Sequence, residues 1–185
     1  MSTAERETLR VGTLIAGSYR VVRPLAEGGM GVIYEVEQVA TGARRALKVM
    51  RLQFAGDDAL RARFVREARL TASLPTDHVA QVLDAGLDPA SGLLFMVMEL
   101  LEGMTLSQRI RRLDALAWND ALAVLGQVAH ALRAAHALGI VHRDLKPANV
   151  FLAQSRHATV PFTVKLLEHC CCCEVRCSQL AFGLT

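Results

Sequence analysis

Cysteine is absent from the first 169 positions of this 185-residue chain, and lysine is scarce throughout. Lys48, Lys146 and Lys165 stand against 18 arginines. Cysteines confined to one cluster argue against a disulfide framework, which spreads its staples along the chain. No long hydrophobic run is present: the most apolar stretch, Ala121 to Val141, is broken by Gln127, His130, Arg133 and His136, which a membrane span would not tolerate without partners. The opening MSTAERETLR has no apolar segment of the kind an export signal needs. Charge of one sign is also lacking. The surplus is only +3, and all of it falls in residues 101–185, too little to predict a nucleic-acid or membrane-surface partner. These absences predict a soluble protein of the cytoplasm. What is present is 52% hydrophobic residues with 21% charged, enough for a folded core.

Beyond a polar leader (1–18), Tyr19 to Leu25 is a predicted strand ending at the glycine-rich turn AEGGMG. Val32, Tyr34 and Val36 alternate with Ile33, Glu35 and Glu37, which is strand period, and Thr41-Gly42 is the turn to a third strand, 45–50. Asp57-Asp58 begins a predicted helix reaching about Leu74, with Pro75 as its stop. Residues 79–86 and 93–100 predict two more strands around the turn DPASG. From Leu106 the pattern becomes helical. Asn119 is the expected cap of a long helix with Leu122, Leu125, Val128, Leu132 and Ala135 as its apolar stripe and Gly139 at its end. Short strands are expected at 150–152 and 162–167. The fold class is therefore α+β in two lobes, five antiparallel strands with one helix and then a mainly helical part.

Three features suggest phosphate chemistry. Glycines let backbone N–H groups approach a phosphate closely, although a tight hairpin turn would use AEGGMG equally well. No helix follows these glycines and no Gly-Lys-Ser/Thr occurs, so dinucleotide-binding and Walker loops are excluded. Lys48 lies in the apolar run ALKVM, where a point-like charge is retained in a chain that prefers arginine; a snorkelling surface lysine is the plainer reading. Glu67 sits mid-face among Leu60, Phe64, Thr71 and Leu74, with Arg66 and Arg69 on the other side. A carboxylate there either rims the core or needs a cation, for which Lys48 is the candidate.

Residues 142–149 read HRDLKPAN. With AEGGMGVIYEV, RALKV and FVREARL in order before it, the chain resembles the amino-terminal part of a Hanks-type protein kinase, most like bacterial serine/threonine kinases, over Tyr19 to Leu167. The resemblance implies a kinase-like fold with an ATP-binding lobe (19–101) and part of the second lobe (102–167), and ATP and Mg2+ as reactants acting on a protein substrate. By the same resemblance Ala26, Gly28, Gly31 and Ile33 belong to the phosphate-covering loop. Lys48, held by Glu67, contacts the α- and β-phosphates, and the backbone of Met98 to Leu101, through Glu99 and Leu101, binds adenine. Asp144 accepts the substrate hydroxyl proton, Lys146 contacts the γ-phosphate and Asn149 holds magnesium.

The pattern then departs from the family. Ala26 replaces a glycine and Ile33 a valine. After the strand VKLL, where Asp-Phe-Gly is usual, stand Glu168-His169-Cys170. Glu168 is a displaced magnesium ligand at best, because octahedral coordination is unforgiving of an added methylene. Ala181-Phe182-Gly183 keeps the Phe-Gly without the acid. For the tail 168–185, with Cys170, Cys171, Cys172, Cys173 and Cys177, metal binding, palmitoylation and a disrupted carboxyl end are the alternatives. The last is the expectation: a kinase truncated before its activation loop, with an uncovered apolar face on helix 119–138 open to a partner. A catalytically silent nucleotide-binding or interaction module is the alternative function.

Overall fold

The computed structural model describes residues 9–27, 31–50, 58–113, 115–154 and 162–167. The chain divides into two compact units, residues 1–65 with 82–100 and residues 66–81 with 101–185.

Unit 1 is built on an antiparallel sheet. Its strands are β1 (Leu14–Ile15), β2 (Tyr19–Glu27), β3 (Gly31–Gln38), β4 (Arg44–Met50), β5 (Val82–Leu87) and β6 (Leu94–Glu99), in the order β1-β2-β3-β4-β6-β5. Five match the sequence expectation, and the two-residue β1 adds a sixth at the edge. Pro24 lies inside β2 although it has no N–H to donate; the β2–β3 register shifts between Pro24 and Ala26, which accommodates it. One face of the sheet is the core, where Tyr34, Val36, Leu47 and Val97 are 1% exposed or less. Tyr19, Val49 and Phe95 pack with them. The alternation seen in β3 is thus a core face and an outer face. Outside, Arg23 and Arg44 pair with Glu35 at 2.7 and 3.6 Å.

Asp88 is 2% exposed and organises the β5–β6 turn. Its carboxylate accepts the Ser91 hydroxyl and the Ser91 N–H. It also accepts the N–H of Ala16 at 2.8 Å, a residue held at φ +49° after β1. Burial by itself would raise the pKa of this acid, but these donors hold it below the usual range.

The division between units passes through α1 (Asp58–Ala72). The helix ends earlier than Pro75 requires: the Ser73 hydroxyl bonds back to the Leu70 carbonyl at 2.8 Å. The expected cap at Asp57 lies outside the described residues. The strand expected from residue 79 begins at Val82, because Val79 makes a parallel bridge to Leu166 within unit 2.

Unit 2 has a three-stranded sheet of β7 (Gly103–Thr105), β8 (Val150–Gln154) and β9 (Phe162–Leu166), with α2 (Leu106–Leu113) and α3 (Trp118–Ala137). Two sequence readings of α3 are corrected. Its N-cap is Ala117, in extended conformation and without a side-chain bond, so Asn119 lies inside the first turn. Its buried stripe is Val124, Val128, Ala131 and Ala135, whereas Leu122 and Leu125 are 49% and 65% exposed. The smaller side chains face β8 and β9, and Gln127 Oε1 accepts the Val164 N–H at 2.8 Å.

Candidate functional site

The outer face of the unit 1 sheet carries a single cross-strand row. Ala26 pairs with Ile33, Ile33 with Lys48, Lys48 with Met96 and Met96 with Ala85. Paired residues on antiparallel strands point to the same side, so the sheet brings Ala26, Ile33 and Lys48 into line. This row lies opposite the core, which explains how a lysine sits in a central strand: Lys48 is only half-buried, while Leu47 and Val49 beside it are buried. Gly31 has a packing reason of its own. A Cβ there would stand 2.1 Å from the Val49 carbonyl oxygen, so the close approach of β3 to β4 already requires glycine. Gly28 lies outside the described residues. Glu67 is on α1, but its side chain is outside the described set, so its pairing with Lys48 is not described. Glu99 ends β6 in unit 1 and Leu101 begins the following stretch of unit 2.

The catalytic-loop residues come together within unit 2. α3 ends through Gly139 at φ +71°, with the Ile140 N–H returning to the Ala135 carbonyl at 3.0 Å. The chain then folds tightly around Arg143, a non-glycine residue at φ +58°, and the Asp144 N–H bonds to the His142 carbonyl at 2.8 Å. His142 is 2% exposed. The Asp144 carboxylate accepts Lys146 Nζ at 2.7 Å and Asn149 Nδ2 at 2.9 Å. The same Nδ2 also donates to the Asp144 carbonyl at 2.9 Å. Asn149 is set by a short 3-10 turn, Pro147–Asn149, and its own carbonyl accepts the Leu167 N–H at 3.0 Å. That last bond ties the loop to the end of β9. Its partners are too far apart in sequence to be read there, and the buried His142 and strained Arg143 were likewise missed, although HRD itself was the available signal.

The Lys146 hydrogen bond, more than any other contact, holds Asp144 below the usual carboxylate range. Partial burial opposes this, while the Asn149 bond and the charges of Lys146 and His142 add to it. The result is an ionised carboxylate with fixed orientation. Both bonds of the Asn149 amide are made by its nitrogen, so its Oδ1 is the atom suited to a hard cation such as Mg2+. Among the described residues no group of three or more His, Cys, Asp or Glu converges on a metal position. The second expected ligand, Glu168, and the cysteine tract lie outside the described residues. No described helix is long and apolar enough to cross a membrane.

Comparison with known proteins agrees with this geometry. The chain is 40% identical over 146 residues to the serine/threonine-protein kinase PknA of Mycobacterium tuberculosis, covering 77% of this chain and 34% of that protein. It is 36% identical over 148 residues to a probable serine/threonine-protein kinase PknB of Lactococcus lactis, covering 80% of this chain and 23% of that one. It thus spans about a third or less of these relatives. The crystal structure of the Mycobacterium tuberculosis PknI kinase domain superimposes with a TM-score of 0.72 at 35% identity, covering 88% of this chain and 62% of that domain. Residues 19–180 match the protein kinase domain model. The chain belongs to the protein kinase family, in its Hanks-type bacterial serine/threonine branch.

Proposed function

We propose that the chain carries the nucleotide-binding and catalytic-loop machinery of a kinase that transfers the γ-phosphoryl group of ATP to serine or threonine of a protein. The observation that carries this reading is the Asp144–Lys146–Asn149 constellation, in which one carboxylate is held by two donors at 2.7 and 2.9 Å. Asp144 orients the attacking hydroxyl and takes its proton. An acid of lowered pKa is a weak base, but a loose phosphoryl-transfer transition state asks for orientation more than for proton abstraction. Lys146, with its side chain 53% exposed beside that carboxylate, meets the γ-phosphate. Lys48, supported by Glu67, meets the α- and β-phosphates, and Ala26 and Ile33 form part of the covering loop with Gly28 and Gly31. The backbone at Glu99 and Leu101 takes adenine. Asn149 Oδ1 holds Mg2+, which supplies charge neutralisation on the phosphates when bound.

A thermal-shift titration with ATP and Mg2+ tests the nucleotide site. Lys48→Met and Glu67→Ala are both expected to shrink the ligand-induced rise in Tm, and equal shifts in all three chains would overturn the assignment.

A second reading, a kinase-like module that binds nucleotide without turnover, is favoured by Glu168-His169-Cys170 in the place of Asp-Phe-Gly. Misplacing a ligand by about 1 Å costs on the order of 10²-fold, so residues 1–185 are expected to transfer no measurable phosphate to themselves or to a basic protein. Labelling that vanishes in Asp144→Asn would exclude this reading. In that module Trp118, Leu122 and Leu125, 75%, 49% and 65% exposed along one side of α3, offer a partner an apolar stripe.

A further inference from the structure

His78 and His130 have no part in the chemistry above, yet unit 2 brings them together from the segment before β5 and from α3. Their ring centroids stand 5.3 Å apart with the planes at 80°. Two imidazoles on one tetrahedral zinc have centroids about 5 Å apart, since each ligating nitrogen lies about 2 Å from the metal.

The His78 ring and the helix that carries His130 are both tied to the same strand residue. The Val164 carbonyl lies 3.1 Å from His78 Nδ1. The Val164 N–H donates to Gln127, which precedes His130 by one turn of α3. A carbonyl oxygen only accepts, so His78 Nδ1 carries the proton and the neutral ring keeps its lone pair on Nε2. A backbone carbonyl holding one ring N–H is how metal-ligating histidines are oriented. His130 is exposed and His78 half-buried, so ions in solution have access. Imidazole nitrogen selects zinc, copper or nickel over magnesium and calcium.

The geometry points to a two-histidine clamp for a divalent transition metal, formed by His78 and His130 and completed by water. With no third described His, Cys, Asp or Glu converging there, it is an open site that exchanges its metal. It fastens α3 to the segment entering β5 and stands apart from any Mg2+ held by Asn149.

The test is a calorimetric titration of the whole chain with Zn2+ at pH 7.5, its five thiols alkylated so that the cysteine tract is silent. One Zn2+ per chain and a raised Tm are expected. His130→Ala changes an exposed position and is expected to weaken that binding more than about 100-fold, beyond the loss typical of outer-shell changes, with the circular dichroism unchanged. If that variant misfolds, His130→Gln replaces it. Ring 1H–15N spectra with Ni2+ are expected to broaden the His78 and His130 signals before those of His136. Zinc binding that persists in the His130 variant, or a thiol-blocked chain that binds none, would overturn the proposal.

Discussion

In unit 1, Lys48 is placed by residues on two neighbouring strands, Ile33 and Met96. In unit 2, Asp144 is placed by residues two and five positions further along the same chain. The first arrangement depends on sheet register and the core behind it, so it fails only when the whole unit is weakened. The second is held by local hydrogen bonds and is lost one bond at a time. Lys48 is therefore positioned by a cooperative device and Asp144 by a local one.

The contrast is broken most forcefully from the core side. Leu47, fully buried and adjacent to Lys48, is expected to cost about 2–5 kcal/mol when replaced by alanine, measured by urea denaturation, and to reduce ATP binding with it although its side chain belongs to the core. Asn149→Ala probes the other device. It removes both bonds to Asp144, and is expected to cost about 1–2 kcal/mol while leaving the Lys48 row of unit 1 intact. A urea midpoint that falls as far for Asn149→Ala as for Leu47→Ala would erase the distinction.

Two titrations sharpen it. Burial, and then the hydrogen bond to Asp84 at 2.8 Å, raises the Tyr19 pKa from 10.0 to about 12. Its contribution to stability is therefore full below pH 10 and is lost as pH climbs through about 12. Tyr19→Phe is expected to flatten the stability curve across that interval, as read by urea midpoints. Asp144 gives the smaller effect. Its pKa is lowered from 3.8, so its contribution is present above that value and disappears as pH falls through the folded-state pKa. Solvent screening keeps it slight at a side chain 35% exposed. Lys146→Ala removes the largest cause and is expected to move the carboxyl titration of Asp144 upward in a 13C NMR experiment.

Legibility in the sequence followed the same divide. β3 and β4 could be read because alternation reports a one-sided core, and Tyr34, Val36 and Leu47 are that core. HRDLKPAN could be read because it resembles the catalytic loop of the protein kinases, and its Asp144, Lys146 and Asn149 meet through contacts local in sequence. What escaped was set by distant partners or by size. β1 is two residues long and β7 three, too short to show a period. In α3, Val128 and Ala135 were legible as core, but Leu122 and Leu125 were wrongly added because leucine outweighs valine and alanine in any hydrophobic count. Close packing against the sheet selected Val124 and Ala131 in place of Leu122 and Leu125. DPASG was legible as a turn, but nothing in it announces that Asp88 would be buried.

The bond from Asp88 to Ala16 spans 72 residues, and that separation sets an order of events during synthesis. Ala16 leaves the ribosome long before Asp88 and Ser91 do. At roughly 5–20 residues per second this interval lasts about 4–15 s. Throughout it the acceptor for the Ala16 N–H does not yet exist. The contact between Asp88 and the segment after β1 can therefore form only once β5 and the turn after it have been made, and so long a loop makes it a high-contact-order contact of unit 1.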